Sequence, residues 1–231
     1  APIASIAPND SAWADLGTYS SPFYSGMYNI EYTITADSVD GFPGDNKFFA
    51  GTLIDSLISY AKIDTATMIP FSSAHYSWVT PPSVYESCVH FMDPNASRLT
   101  ALGIYNSASG GDGGTMVGEL IEARIYEWND VFTGLSDVNF PASPWALNQL
   151  SNAFYTYTAD LQREMVYIPF TDSVQLADNQ RYLFCAVTYN SANVYMGFDS
   201  YYDYDEVLVA NDQPVSIVIG DLDQFALGFG T

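Results

Sequence analysis

The sequence predicts an all-β protein built as an antiparallel sandwich. Three observations carry this. Apolar residues recur with period two along many short runs. Turn-forming Gly, Pro, Asn and Asp separate those runs at short intervals. Asp (20) far outnumbers Glu (7), and Asp suits turns whereas Glu suits helices. A saline habitat would give the same skew.

Taken in order, residues 27–36 (MYNIEYTITA) alternate and are rich in Tyr, Ile and Thr. Residues 48–63 hold one or two strands. In 84–93, Tyr85, Val89 and Phe91 share one face, and Glu86 and His90 the other. Residues 99–106 (LTALGIYN) make a further strand. Residues 116–128 (MVGELIEARIYEW) fit a helix through Val117, Leu120, Ile121 and Ile125, but strands flank them and Ile121, Ala123 and Ile125 alternate with Glu122, Arg124 and Tyr126. We read a strand. More strands are expected at 154–158, 164–170, 181–189, 194–198, 206–210 and 215–219. The best helix candidate is 143–150, with Ser143 as cap and Pro144 in the first turn. The turns include 41–46 (GFPGDN), Pro81-Pro82, Asp93-Pro94-Asn95 and a Gly-rich loop at 106–115.

A boundary is expected near 64–83. Residues 71–231 carry eight or more strands, enough for a jelly-roll β-sandwich. Residues 1–70 carry three or four, too few to close a sandwich alone. They read as an incomplete immunoglobulin-like β segment. It can pack on the jelly roll, belong to a preceding domain, or add strands to a neighbouring molecule. The last option makes a filament if the contact does not close.

The chain of 231 residues has 27 acidic and 6 basic side chains, for a net charge of −21. That charge argues against nucleic acid and against an anionic membrane surface. No run of 18 apolar residues exists, so no membrane-spanning helix is expected. The chain starts at Ala1 without Met or a signal peptide, and reads as a processed or excised product. Cys88 and Cys185 lie in strand-like runs. They are either two buried thiols or a disulfide.

Chemistry-bearing motifs are scarce. His75 and His90 lack zinc-enzyme spacing, and His90 reads as a satisfied surface imidazole. No nucleophile elbow, P-loop or dinucleotide fingerprint occurs. Glu119, Glu122 and Glu127 read as solvated outer-face charges, not a glycosidase pair. No catalytic residue is assigned. Asp199, Asp203, Asp205 and Glu206 crowd four carboxylates into one stretch; calcium is the cation that would suit them. No cofactor is otherwise required. Tyr201, Tyr202 and Tyr204 in the same stretch can stack on sugar rings or pack in the sheet.

Asp-[Ser/Thr]-small apolar occurs five times, around Ser11, Ser38, Ser56, Thr65 and Ser173. Asp-Ser and Asp-Thr are common turn openers, but the pattern also resembles the general O-glycosylation consensus of exported bacteroidete proteins. That resemblance makes these five hydroxyls sugar acceptors. Three longer stretches look similar to β-sandwich modules of cell-surface proteins exported by the bacteroidete type IX pathway. They are FPGDNKFFAGTLIDSLISYAKID, then CVHFMDPNASRLTALGIYN with its Gly-rich loop and ELIEARIYEW, and YIPFTDSVQLADNQRYLFCAVTYN. Together they cover about half the chain. The resemblance implies a jelly-roll or immunoglobulin-like architecture, surface display and often a carboxy-terminal sorting domain. This chain ends at Phe229-Gly230-Thr231 without one, so such a domain is expected to be cleaved or to lie beyond the chain.

The reading is a non-enzymatic, extracellular or cell-surface structural or adhesive protein: a glycosylated filament or surface-layer subunit that associates with itself or with a neighbouring surface protein. The alternative is a carbohydrate-binding module of a secreted polysaccharide-degrading system. A hydrolase sandwich and a viral jelly roll are further options.

Overall fold

A computed structural model describes residues 12, 14, 16, 26–35, 39, 41–54, 57–59, 61, 63–64, 66–67, 69–77, 84–129, 131–134, 136–139, 147–199, 216–220 and 225–227. The regular structure is nearly all antiparallel β, and among the described residues no helix reaches seven residues. The chain divides into two compact units, Ala1–Tyr60 and Ala61–Thr231.

In the first unit, β1 (Gly26–Thr33) pairs with β2 (Lys47–Ile54) in a two-stranded ribbon. A 3-10 turn at Pro43–Asp45 lies in the connection, where the Ile34 N–H donates to the Asn46 carbonyl at 2.9 Å. Pairing of Tyr32 with Phe48, two residues from Ile30, sets an apolar row of Ile30, Tyr32 and Phe48 on one face. The other face carries Glu31, Thr33, Lys47 and Phe49. Phe48 is 68% exposed, and Ile30, Tyr32 and Phe49 are also exposed. A two-stranded ribbon is marginally stable by itself.

The second unit begins with short strands β3 (Ile63–Asp64), β4 (Ile69–Pro70) and β5 (Ala74–Tyr76). Next come β6 (Tyr85–Phe91), β7 (Thr100–Gly110), β8 (Leu120–Trp128), β9 (Leu147–Thr156) and β10 (Met165–Gln175). The chain continues as β11 (Arg181–Thr188), β12 (Val194–Phe198), β13 (Ser216–Gly220) and β14 (Phe225–Leu227). β3 and β4 pair with each other. The remaining strands form a four-stranded sheet, β10-β7-β12-β5, and a six-stranded sheet, β14-β13-β6-β11-β8-β9. The pairings nest: β8 with β11, β7 with β12, β6 with β13. Successive pairs fall alternately in the two sheets, as in an antiparallel ribbon folded over on itself. Such winding builds a jelly roll. At its tip, β10 leaves its register with β7 between Pro169 and Val174 and turns to β9, where the Asp172 N–H donates to Ser151 Oγ.

The core lies between the two sheets. Ile121, Ala123 and Ile125 of β8 meet Val166, Ile168 and Phe170 of β10 and Val194 and Met196 of β12. The period-two reading of 116–128 thus holds for Leu120–Trp128. The expected helix does not: Leu147–Leu150 is strand, and 143–146 lie outside the described residues. Nine register pairs with β8 and the packing of Leu147 on the outer-face cluster outweigh a cap and a single turn of helical pattern. The strand expected at 206–210 also lies outside the described residues.

Candidate functional site

β6, β8 and β11 are buried on both faces, so their burial is almost continuous. One face supplies the core. On the other, register lines up three rows across the sheet. Cys88, Cys185, Arg124 and Asn152 stand side by side. Glu86, Val187, Glu122 and Phe154 form the next row, and His90, Leu183 and Tyr126 the row beyond Cys88. Cys88 and Cys185 are directly paired residues joined by a disulfide, with Cα atoms 4.0 Å apart. One end of this face is capped by the segment after β8: Phe132 packs on Trp128 with ring centroids 5.0 Å apart, and the Arg181 guanidinium sits 4.0 Å over the Phe132 ring. Asp137 folds that segment by accepting from Thr133 N, Thr133 Oγ1, Asn139 N and Asn139 Nδ2.

One guanidinium holds the polar part of the face together. Arg124 Nη2 donates to Glu122 Oε2 at 2.6 Å, and Nη1 donates to Glu86 Oε2 at 3.3 Å. Nη1 also reaches the Tyr126 hydroxyl at 3.1 Å, and Nη2 the Tyr189 hydroxyl at 2.7 Å. Tyr189 donates to Glu122 Oε2, and Asn152 Nδ2 donates to Glu122 Oε1 at 2.6 Å. Burial pushes Glu86 up to about 7 in spite of Arg124. Burial also acts upward on Glu122, but donation from Arg124, Asn152 and Tyr189 outweighs it and holds the carboxyl below its ordinary value. Two carboxyls driven apart in this way form the pattern of an acid and a base. Here both lean on the same cation within a packed face, so they form an ion triad able to exchange one proton near neutrality.

Two sequence expectations are corrected by this face. Glu122 is not a solvated outer charge: it is 3% exposed, because both sides of β8 are covered. Glu119 and Glu127 are half-buried; Glu119 accepts from Asn190 Nδ2, and Glu127 from Asn129 and Asn148. His90 is not a surface imidazole either. It is 4% exposed and meets the Trp128 ring edge-on at 5.7 Å. The i, i+2, i+4 spacing of Glu86, Cys88 and His90 was the available signal that these residues share a face.

The remaining expected sites are only partly described. Ser173 is exposed on β10, within the stretch that leaves the ladder. Ser11, Ser38, Ser56 and Thr65 lie outside the described residues. So do Asp203, Asp205, Glu206, Tyr201, Tyr202 and Tyr204. Asp199 is buried, and its Oδ1 lies 3.5 Å from Ser73 Oγ.

Two other features escaped the sequence reading. His75 Nε2 lies 3.0 Å from Ser107 Oγ. The two residues sit on β5 and β7, on either side of β12, and His75 reaches across Gly197. A Cβ there would sit 2.9 Å from Ser107 Cβ. Burial first, then Arg163, lowers His75 to about 4, so the imidazole is neutral at pH 7. Second, Tyr105 and Tyr167 pair on the outer face of the four-stranded sheet, ring centroids 5.0 Å apart, and both are partly exposed.

No known protein family, curated protein or solved structure matches this chain.

Proposed function

We propose that the protein is a non-enzymatic structural or adhesive subunit acting outside the cell, which assembles through its N-terminal β ribbon. The carrying observation is the exposed row Ile30, Tyr32 and Phe48 on a two-stranded ribbon in a unit of its own. Such a ribbon gains stability when further strands join its edge or cover its face. The buried disulfide supports an oxidising location. The exposed Ser173 supports glycan display at one of the five Asp-[Ser/Thr] motifs.

The test is sedimentation of the full chain over a concentration series, with electron microscopy of the material obtained. Wild type is expected to form regular oligomers or filaments. Tyr32→Ser with Phe48→Ser is expected to remain monomeric with an unchanged circular dichroism spectrum. A wild type that stays monomeric at high concentration refutes the assembly reading. Intact mass of the native protein tests the glycans: a mass equal to the bare polypeptide refutes them.

The Tyr105–Tyr167 pair favours a second reading, a carbohydrate-binding module, since flat exposed rings stack on sugar faces. A glycan array decides it. Binding lost in Tyr105→Ala and Tyr167→Ala supports a module; an array without signal removes it.

A further inference from the structure

The outer face of the six-stranded sheet holds a donor set that joins the Glu86 carboxyl of the ion triad to the two disulfide sulfurs beside it. Glu86 and Cys88 are two residues apart on β6, and Cys185 faces Cys88 from β11. One carboxylate oxygen of Glu86 and both sulfurs lie within 4.8 Å of one another, and all three residues are buried. Glu86 Oε2 is held by Arg124, whereas Glu86 Oε1 is buried with no hydrogen-bond donor. A carboxylate oxygen shielded from water and left without a donor is unfavourable, and more so when charged. A cation beside it would remove that cost.

We propose that the Glu86–Cys88–Cys185 cluster is a redox-exchangeable metal site, which binds one thiophilic divalent ion of the zinc class when the disulfide is reduced. The proposal is independent of the assembly reading. The steps balance. A dithiol reductant delivers two electrons and two protons, the Cys88–Cys185 bond breaks to two thiols, and the reductant becomes a disulfide. The ion then displaces the two thiol protons and takes two thiolates and the Glu86 carboxylate as ligands.

Geometry and charge both permit this exchange. Zinc–sulfur bonds of about 2.3 Å at a tetrahedral angle place two sulfurs about 3.8 Å apart. Directly opposed cross-strand side chains reach that separation by turning about χ1, without strand movement. With Glu86 ionised, the buried charges in the oxidised state are Glu86 (−1), Glu122 (−1) and Arg124 (+1), a sum of −1. Two thiolates and a divalent ion add −2 and +2, so the sum is unchanged. A buried face tolerates a swap that brings in no net charge far better than one that does. Soft thiolate donors select zinc-class ions over calcium or magnesium. The ion is expected to enter as the reduced chain folds, before the face closes.

The experiment titrates the full chain with Cd²⁺, as a spectroscopic stand-in for Zn²⁺, in a phosphine reductant and separately after oxidation. The ultraviolet sulfur-to-cadmium charge-transfer band is read together with circular dichroism. One Cd²⁺ per reduced chain is expected, and none for the oxidised chain. Cys88→Ser is expected to abolish the band. Glu86→Gln is expected to keep it with at least about tenfold weaker affinity. If the reduced, metal-free chain loses its β spectrum, Cd²⁺ or Zn²⁺ must restore it. A folded reduced chain with no band at excess Cd²⁺ overturns the proposal. So does an unfolded reduced chain that neither ion refolds, and so does wild-type affinity in Glu86→Gln.

Discussion

Loss of Arg124 should destabilise the outer face of the six-stranded sheet strongly. The Arg124 guanidinium is bonded to Glu122, Glu86, Tyr126 and Tyr189, and the side chain keeps 19% of its surface in water against 6% for Glu86 and 3% for Glu122. Arg124→Met keeps length and apolar stem but leaves two carboxyls on a covered face without their cation. Removing one partner of a buried ion pair costs about 3–5 kcal/mol. Glu86 has an escape, because its carboxyl is already pushed up to about 7 and can take a proton. Glu122 has none of that ease, because its remaining donors Asn152 and Tyr189 favour the ion. The penalty is therefore expected to be about 4–5 kcal/mol at pH 8 and about 3 kcal/mol at pH 6. Urea unfolding at the two pH values reads it. The triple variant Arg124→Met, Glu86→Gln, Glu122→Gln is expected to recover most of the loss, since replacing a whole buried ion cluster is close to neutral whereas breaking it is not. A single-variant cost under about 1 kcal/mol, or a triple variant no better than the single, would refute the account of this face as a charge-balanced unit.

Three further outcomes follow from the same structure. The disulfide closes a loop of sequence separation 97, and the chain-entropy model then gives about 4.7 kcal/mol of stabilisation; a urea midpoint unmoved by reductant would contradict it. The folded-state value of Glu86, about 7, lies above its ordinary 4.5, so the folded state holds the extra proton between those values and stability falls as pH rises across that window, by up to about 3 kcal/mol; Glu86→Gln should flatten that slope, and an unchanged slope would assign it elsewhere. At Gly103, a Cβ would sit 2.4 Å from the Ile168 carbonyl oxygen and 2.8 Å from Pro169 Cα; both are backbone atoms that cannot swing aside. Gly103→Ala should therefore cost about 1–3 kcal/mol in thermal unfolding, and a neutral result would mean that the β7–β10 ladder relaxes freely.

Much of the sandwich was legible because period two is a direct readout of which side chains share a face. Ile121, Ala123 and Ile125 announced the core row of β8, and the Asp93-Pro94-Asn95 turn marked a real break, whereas the loop expected at 106–115 begins only after Gly110, because Asn106–Gly110 continue β7 with Asn106–Ser109 buried. The outer face was hidden by that same rule. A strand covered on one side alternates, but β8 and β11 are covered on both, so Glu122 looked like an ordinary water-facing charge. Its burial depends on Val187 and Glu86 across the strands and on Asn152 and Tyr189 at its carboxyl, and those are long-range pairings that no local window contains. The helix expected at 143–150 gives way to strand at 147–150 for a related reason: a cap and first turn are local signals, whereas the β8–β9 ladder is not. The Cys88–Cys185 bond was left open between thiols and a bridge, because only register decides whether two such residues stand opposite each other.

The cross-strand bridge has a mechanical consequence. When the molecule is pulled through its ends, the residues between positions 88 and 185 lie behind the covalent bond. At about 3.3–3.6 Å of extended length per residue, roughly 330 Å of chain is withheld from stretching while the bond is intact. An oxidised molecule would pay out only its two tails before the load passes to the sulfur atoms. A reduced one would lengthen more than that under the same force.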